Sequence, residues 1–415
     1  MTKIIVVGAG VIGTSVAYRL ARAGAKVTVL EATRVGGGTS GISFAWTNAN
    51  NKTPRAYFDL NVAGMRAHAA LKDEFGATPW WHGGGRIEWR DQPEWAGQKA
   101  KVERLKSWDY AADWIDRKQL LELEPDIAPE AIGDAPIAWY PNDGWLDPVV
   151  YAHAMMSAAQ RLGATLRTQT RIAGLIVEGG KAKGVRSERG ETFHADFVIN
   201  CTGRWSNETV GSAAPNVPLA PTVGFLVFTP PVPAGIQRVV ASPICDFRPD
   251  GAGRLMLHWG SADATVTPEI GVNPGMEQAA DLVERLTRIL PGIAPVKPEA
   301  ARVTIRPIPK DGLSAIGPVP GLENYYLMVT HSGATLSPAL GVMAADEIIN
   351  GRQRPELADF RPSRFFWRNC CLICLSCLAI RPRHLGGRII APHAPFVRTR
   401  TLRWRRLRMR AGPRG

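Results

Sequence analysis

Residues 4–31 read IIVVGAGVIGTSVAYRLARAGAKVTVLE, and this stretch decides the fold. A β-branched run, Ile4 to Val7, ends in Gly8-Ala9-Gly10-Val11-Ile12-Gly13. An apolar-periodic helix follows and stops at Gly24, and a second short strand, Lys26 to Leu30, ends in Glu31. The pattern is a βαβ unit with a glycine-rich first turn. Gly8 permits the tight turn, Gly10 leaves no side chain in the way of a pyrophosphate, and Gly13 lets the helix pack close on the strands. Backbone N–H groups and the positive end of the helix dipole then face the diphosphate. Glu31 stands where a carboxylate accepts hydrogen bonds from ribose hydroxyls.

Outward from this unit, a second glycine-rich loop, Gly36-Gly37-Gly38-Thr39-Ser40-Gly41, adds backbone N–H groups and two hydroxyls beside the dinucleotide. Residues 55–75 read as a helix. The Trp-, Gly- and Pro-rich stretch 76–145 reads as strands and loops of a separate unit. A helix from Tyr151 to Leu162 and strands around 164–168, 171–177 and 182–187 follow, then Asp196–Asn200 running into Cys201-Thr202-Gly203-Arg204-Trp205-Ser206. A buried strand ending in a Thr-Gly turn suits another crossing of a parallel sheet. Residues 216–300, with many prolines and alternating apolar runs, suggest an antiparallel sheet that includes a helix at 276–290. The strand YYLMVT at 325–330 leads into His331-Ser332-Gly333-Ala334-Thr335 and a helix that stops at Gly351. The expectation is therefore an α/β, Rossmann-like dinucleotide domain split into 1–75, 146–215 and 303–365. An α+β substrate domain with an antiparallel sheet would come from 76–145 and 216–302.

Taken together, GAGVIG with Glu31, the GGGTSG loop, VINCTGRWS at 198–206, RPIPKDG at 306–312 with Ile316-Gly317, and the late strand–His–Gly–helix segment resemble the flavin-dependent D-amino acid oxidase superfamily. That group includes glycine oxidase, sarcosine oxidase and D-amino acid dehydrogenase, and the resemblance runs over about residues 1–365. It implies FAD. Gly8, Gly10 and Gly13 would hold the diphosphate, and Glu31 the adenosine ribose. Thr39 and Ser40 would line the diphosphate and flavin side, and Ile172 would meet adenine through its backbone. Thr202, Gly203 and Trp205 would pack along the cofactor. Ser332, Gly333, Ala334 and Thr335, at a helix N-terminus, would direct N–H groups at the flavin C2 carbonyl. In some sarcosine-oxidase relatives a cysteine tethers the flavin. Cys201 and Cys245 both lie outside the 303–340 segment, so the FAD is expected to be non-covalent.

The resemblance also implies oxidation of the C–N bond of a small amino acid or secondary amine, by hydride transfer to flavin N5 and hydrolysis of the imine. Arg306 would grip the substrate carboxylate with its planar fork. His331 stands where the family often carries a Gly-His pair, with Thr330 in place of the glycine, and is taken as a polar group of the pocket or an interior histidine. His82 and Arg86 fall in a loop-rich segment that would roof the pocket or serve the fold. Oxygen or a quinone would reoxidise the flavin. Two other readings stand beside this one: an FAD-dependent hydroxy-acid or polyol dehydrogenase reducing quinone, and a non-catalytic flavoprotein acting through a nucleic-acid- or membrane-binding tail.

Charge bears on the last of these. The chain has 50 Lys and Arg, 37 Asp and Glu and a formal charge of +13. Residues 366–415 hold 12 of the arginines and no acid, leaving 38 basic against 37 acidic residues before them. Basicity belongs to the tail, so no nucleic-acid partner is expected for the body. Four of the six cysteines also crowd into it, and Cys371, Cys374 and Cys377 have a spacing that suits a metal cluster. A fourth well-placed ligand is missing, and no metal is expected. Arginine without lysine, sudden cysteine and no acids read as GC-rich DNA translated out of frame. The N-terminus opens directly in a strand, without a basic and then apolar leader, and Cys370–Ile380 is too short to span a bilayer. The expectation is a cytoplasmic protein, with room for peripheral contact with the inner membrane.

Overall fold

The computed structural model describes residues 1–366 with the exception of residue 270, so the reading of the tail as out-of-frame or metal-binding sequence lies outside the described residues from 367 onward. Five strands build the parallel core: β1 (Lys3–Val7), β2 (Lys26–Leu30), β3 (Thr165–Arg167), β4 (Phe197–Asn200) and β5 (Leu322–Val329). Their order across the sheet is β5-β4-β1-β2-β3, each pair parallel. Strand alternation sends Ile4 and Val6 to one face and Ile5 and Val7 to the other, and all four are buried. The first face carries the helices α1 (Val11–Arg22), α3 (Pro148–Arg161) and α4 (Gly333–Asn350), with α2 (Arg55–Phe75) packed on α4. The second face is covered by an antiparallel meander, Ile172–Glu178, Lys181–Ser187 and Thr192–His194.

Two local solutions place the ends of these helices. Gly13, inside α1, sits so close to the strand end that a Cβ there would lie 1.9 Å from the Gly8 carbonyl oxygen. Pro338, in the second turn of α4, has no N–H, which leaves the Ala334 carbonyl without its helical donor. His68 of α2 donates Nε2–H to that oxygen at 2.7 Å. Burial pulls the His68 imidazole down to about 4, so it is the neutral tautomer that makes this bond.

An eight-stranded, mainly antiparallel sheet forms the other half. Its order is Ala300–Ile305, Val223–Phe228, Leu255–His258, Asp246–Pro249, Val239–Ala241, Arg86–Glu88, Ile137–Tyr140 and Asp113–Ile115. One face turns Ile87, Phe225, Val240, Phe247 and Leu257 onto the helix Glu277–Ile289, whose Leu282, Val283 and Leu286 fill that layer. The alternate residues Arg86, Ala241, Asp246, His258 and Gly224 face a cavity shared with the parallel sheet. The expected boundary at 302/303 falls inside the first of these strands. The stretch 76–145, read as strands and loops, also contains the helices Trp95–Ser107 and Arg117–Leu123. Among the described residues no helix is long and apolar enough to cross a membrane.

Candidate active site

The cavity has a volume of about 1070 Å³ and runs from the β1–α1 turn to the face of the antiparallel sheet. At the first end, Gly8 takes φ +98°, and a Cβ there would press to 2.8 Å from the Cys201 carbonyl oxygen. Glu31 ends β2 with both carboxylate oxygens engaged by its own surroundings. Ala9 N–H donates to Oε2 at 2.8 Å, and Thr33 N–H donates to Oε1 at 2.8 Å. The Ser40 hydroxyl accepts from Val11 N–H at 3.1 Å, so the second glycine loop is fastened to the first turn of α1. Trp205 stacks near that loop, its ring 3.2 Å from where a Cβ on Gly38 would stand.

Asn200, the last residue of β4, organises the next wall. Its amide nitrogen donates to Ser206 O and the Tyr325 hydroxyl, and its oxygen accepts from Thr202 N–H and Oγ1–H. All of the side chain's capacity on this fully buried residue goes into shaping the Thr202–Trp205 turn. Opposite, the first turn of α4 is anchored by the Ser332 hydroxyl against Tyr57 OH at 2.7 Å and by Ser332 N–H donating to Thr330 Oγ1 at 3.1 Å. His331 stands free inside the cavity: its surface is open to the cavity space while the walls enclose it. That enclosure, reinforced by the positive charges of Lys52 and Arg306, pulls its imidazole down to about 4 and keeps it neutral.

At the far end, half-buried Arg306 points Nη2 at Asp263 Oδ2. The same carboxylate accepts from Phe225 N–H at 2.7 Å and meets His258 Nε2 at 3.1 Å. Asp246 Oδ2 lies 3.8 Å from His258 Nδ1. Burial works against a charged His258, but the two flanking carboxylates outweigh it and lift the group to about 9. Gly224 leaves the room Arg306 needs, since a Cβ there would fall 2.9 Å from its Nε.

A second charged cluster lies farther along the same sheet face. Glu88 is 3 % exposed and takes Arg86 Nη1 at 3.0 Å, Lys101 Nζ at 2.7 Å and Arg90 Nε at 3.2 Å. Burial alone would raise the Glu88 carboxyl, but Arg86, Lys101 and Arg90 hold it down to about 2. Burial takes Lys101 down to about 8 despite Glu88, with Arg86 and Arg90 adding to the fall. The Arg86 guanidinium lies 3.8 Å over the Trp46 ring. Beside it, Asp143 is wholly buried; burial lifts it to about 7 against hydrogen bonds from Tyr110, Trp46 and Asn50. Lys52 lines the cavity nearby, and burial lowers its ammonium to about 8.

The cavity therefore gathers Gly8, Gly10, Glu31, Thr39, Ser40 and Ile172 along one stretch of wall. Thr202, Gly203, Trp205, Ser332, Gly333, Ala334 and Thr335 form another, and Arg306 and His331 line the same cavity. Gly13 does not reach the wall and acts through the packing of α1. His82 lies outside the cavity, in a short strand, stacked 3.7 Å on Trp145, whereas Arg86 lines it. The sequence reading named Arg86 but missed Asn200, Lys52, Asp263 and the partners Glu88, Arg90 and Lys101 around Arg86. The alternation Arg86-Ile87-Glu88-Trp89-Arg90 was the available signal, a strand with one wholly charged face.

Two glycine-rich loops, two helix N-termini and a strand-end carboxylate on one cavity, joined to an antiparallel sheet, define a dinucleotide-dependent enzyme of the flavoprotein type. Residues 3–347 match the family model DAO, FAD dependent oxidoreductase, and the chain belongs to that family. Among curated relatives, glycine oxidase of Bacillus licheniformis is 26 % identical over 362 residues, covering 85 % of this chain and 94 % of the relative. Hydrogen cyanide synthase subunit HcnC of Pseudomonas aeruginosa is 25 % identical, covering 87 % and 96 %. Of solved structures, glycine oxidase from Geobacillus kaustophilus superposes with a TM-score of 0.77 at 22 % identity, covering 88 % of this chain and 99 % of that one. L-proline dehydrogenase from P. horikoshii gives the same TM-score and identity, with 88 % and 98 % covered.

The residues present fit FAD. The positive-φ Gly8, the side-chain-free wall at Gly10 and the first turn of α1, whose Val11 and Ile12 line the cavity, form a cradle that a diphosphate fills. The FAD is held without a covalent link; Cys201, the cysteine at the cavity wall, is buried beneath Gly13, and burial pushes its thiol well above the usual range.

Proposed function

We propose that this enzyme oxidises the C–N bond of a small amino acid or secondary amine that carries a carboxylate, giving an imine that water hydrolyses. One observation carries the reading: Arg306 offers a half-buried guanidinium to the same cavity as the residues that would bind FAD, with its Nε edge seated over Gly224 and Nη2 held by Asp263. The similarity to glycine oxidases over nearly their whole length supports it. FAD, when bound, supplies the two-electron acceptor for the carbon-bound hydrogen.

The residues of this chain bind and orient. Asp263 engages Nη2 of Arg306 and leaves the remaining N–H donors for a substrate carboxylate, a bidentate contact that also fixes which substrate hydrogen faces the cofactor. His331 and Lys52 border the same space, with the imidazole neutral. An amine that arrives unprotonated needs no general base from the protein, which accords with a site furnished with donors and cations. The N–H groups at the start of α4 favour negative charge beside them. The glycine, serine and threonine positions of the two loops, with Glu31, Ile172 and the Thr202–Trp205 turn, would hold the dinucleotide. Oxygen or a quinone would accept the electrons in the cytoplasm.

Turnover of glycine, sarcosine, D-alanine, D-proline, simple amines and lactate by purified FAD-loaded protein tests the reading, with oxygen uptake and dye reduction as parallel readouts. Amino acids or N-methyl amino acids are expected to be oxidised. Turnover confined to the hydroxy acid would replace this reading with a hydroxy-acid dehydrogenase.

A further inference from the structure

The Glu88 cluster has an excess of positive charge that the fold does not neutralise. One carboxylate, 3 % exposed, serves Arg86, Arg90 and Lys101 together. Among the described residues, Arg86 and Lys101 have no other carboxylate within 4.0 Å; Arg90 has surface-exposed Glu94 at 3.8 Å and feels Asp246 across the cavity wall, a carboxylate that also serves the charged His258. Asp143, wholly buried behind Trp46, is a second carboxylate on this side, so Glu88 and Asp143 together face Arg86, Arg90, Lys101 and Lys52 and cations remain in excess. Arg86 is 2 % exposed, and its Nε has no hydrogen-bond partner. Lys52, also on the cavity wall, forms no ion pair among the described residues. The segment bearing it is laid across the cluster: Asn50 Oδ1 is 3.5 Å from Arg86 Nη1, and Asn51 Oδ1 is 3.4 Å from Lys101 Nζ.

Buried charge without a counterion is costly, so a surplus of cations on a cavity wall is a place made for an anion. Arg306 cannot be that cluster's partner and lies elsewhere. Its head group is tied beside His258, on a strand three positions away across the sheet from Arg86–Glu88. Strands about 4.8 Å apart put the two strands on the order of 14 Å from each other, and long side chains lean into the gap. The cavity thus has one cationic station at Arg306 and another at Arg86 and Arg90, with Lys52 on the wall felt both by His331 and by Asp143.

We infer that the substrate is an amino acid carrying a second carboxylate, whose far carboxylate sits against Arg86, Arg90 and Lys52 while the near one meets Arg306. The inference rests on the amine-oxidation reading only for the chemistry between the two carboxylates; the anion station stands on the charge cluster itself. It is tested on FAD-loaded protein in two ways. Calorimetry compares glutarate with butyrate, and steady-state kinetics compares iminodiacetate and N-methyl-D-aspartate with sarcosine. A second charge-assisted contact is expected to make glutarate bind about tenfold tighter or more than butyrate, with a similar gain in kcat/KM for the dicarboxylate amines. Arg90→Gln and Lys52→Met, checked for folding by melting curves, are expected each to cut the glutarate-to-butyrate ratio at least about threefold. Equal binding of the two acids, or an unchanged ratio in both variants, would overturn the anion station. A strong glutarate preference with no amine oxidised would leave the station standing and remove the amine-oxidation reading instead.

Discussion

Replacing Arg306 by methionine separates its proposed role from a structural one. The change removes the guanidinium, which sits over Gly224, while keeping an unbranched side chain that leads toward the same space. Asp263 does not become an orphan. It keeps the Phe225 N–H at 2.7 Å and His258 at 3.1 Å, and His258, lifted to about 9 by its carboxylates, is charged at neutral pH. The fold is therefore expected to survive. The loss falls on the substrate: a bidentate, charge-assisted contact in a partly enclosed site is worth about 2–4 kcal/mol, roughly 30- to 1,000-fold. With Arg306 a quarter exposed, solvent screening moves the expectation to the lower half of that range. The assay is kcat and KM for sarcosine against N-methylbenzylamine, which has the amine and no carboxylate. A rise in KM of roughly 30- to 100-fold for sarcosine, with little change for the benzylamine, is expected. An equal loss on both, or less than about threefold on sarcosine, would refute the carboxylate role.

Two further outcomes follow from the packing. Gly13→Val would place side-chain atoms where even a Cβ lies 1.9 Å from the Gly8 carbonyl oxygen, so purified protein is expected to lose its bound flavin and melt lower; a yellow, equally stable variant would contradict the geometry. Glu88 is depressed to about 2 in the folded state, below its ordinary value of 4.5, so its contribution is full above about pH 4.5 and disappears as the pH falls toward 2. That contribution is bounded by about 3 kcal/mol. Glu88→Gln is expected to flatten this limb of an acid-unfolding curve and to lower stability at pH 7 by a comparable amount. An unaltered acid limb would show that the three cations do not depend on that carboxylate.

What was readable in the chain was local. The βαβ unit, its glycines and Glu31 lie within 28 residues, and each glycine's function follows from backbone geometry. The helix expected at 55–75 is Arg55–Phe75, because its amphipathic period is unbroken and Gly76 ends it. The substrate end was legible only in part. Arg306 meets Asp263 across 43 positions, and Arg86 meets Asn50 across 36. Pairings of that separation leave no periodic trace in the sequence. The alternation at 86–90 announced a strand, but a charged face ordinarily meets water, and only the assembled sheet shows that this one turns inward. The helix Trp95–Ser107 was missed for the opposite reason: with Lys99, Lys101, Glu103, Arg104 and Lys106 along 13 residues, its apolar stripe is thin, and only Gln98, Val102 and Leu105 are buried.

The division of labour along residues 86–90 also bears on how such an enzyme diversifies. Ile87 and Trp89 belong to the layer against Glu277–Ile289, while Arg86 and Arg90 line the cavity and Glu88 pairs with both of them. Neighbouring codons therefore answer to different demands, one set to cohesion and the other to ligand choice. A lineage can repaint the even-numbered positions to accept a new metabolite while leaving the odd-numbered ones to keep the sheet seated on its helix.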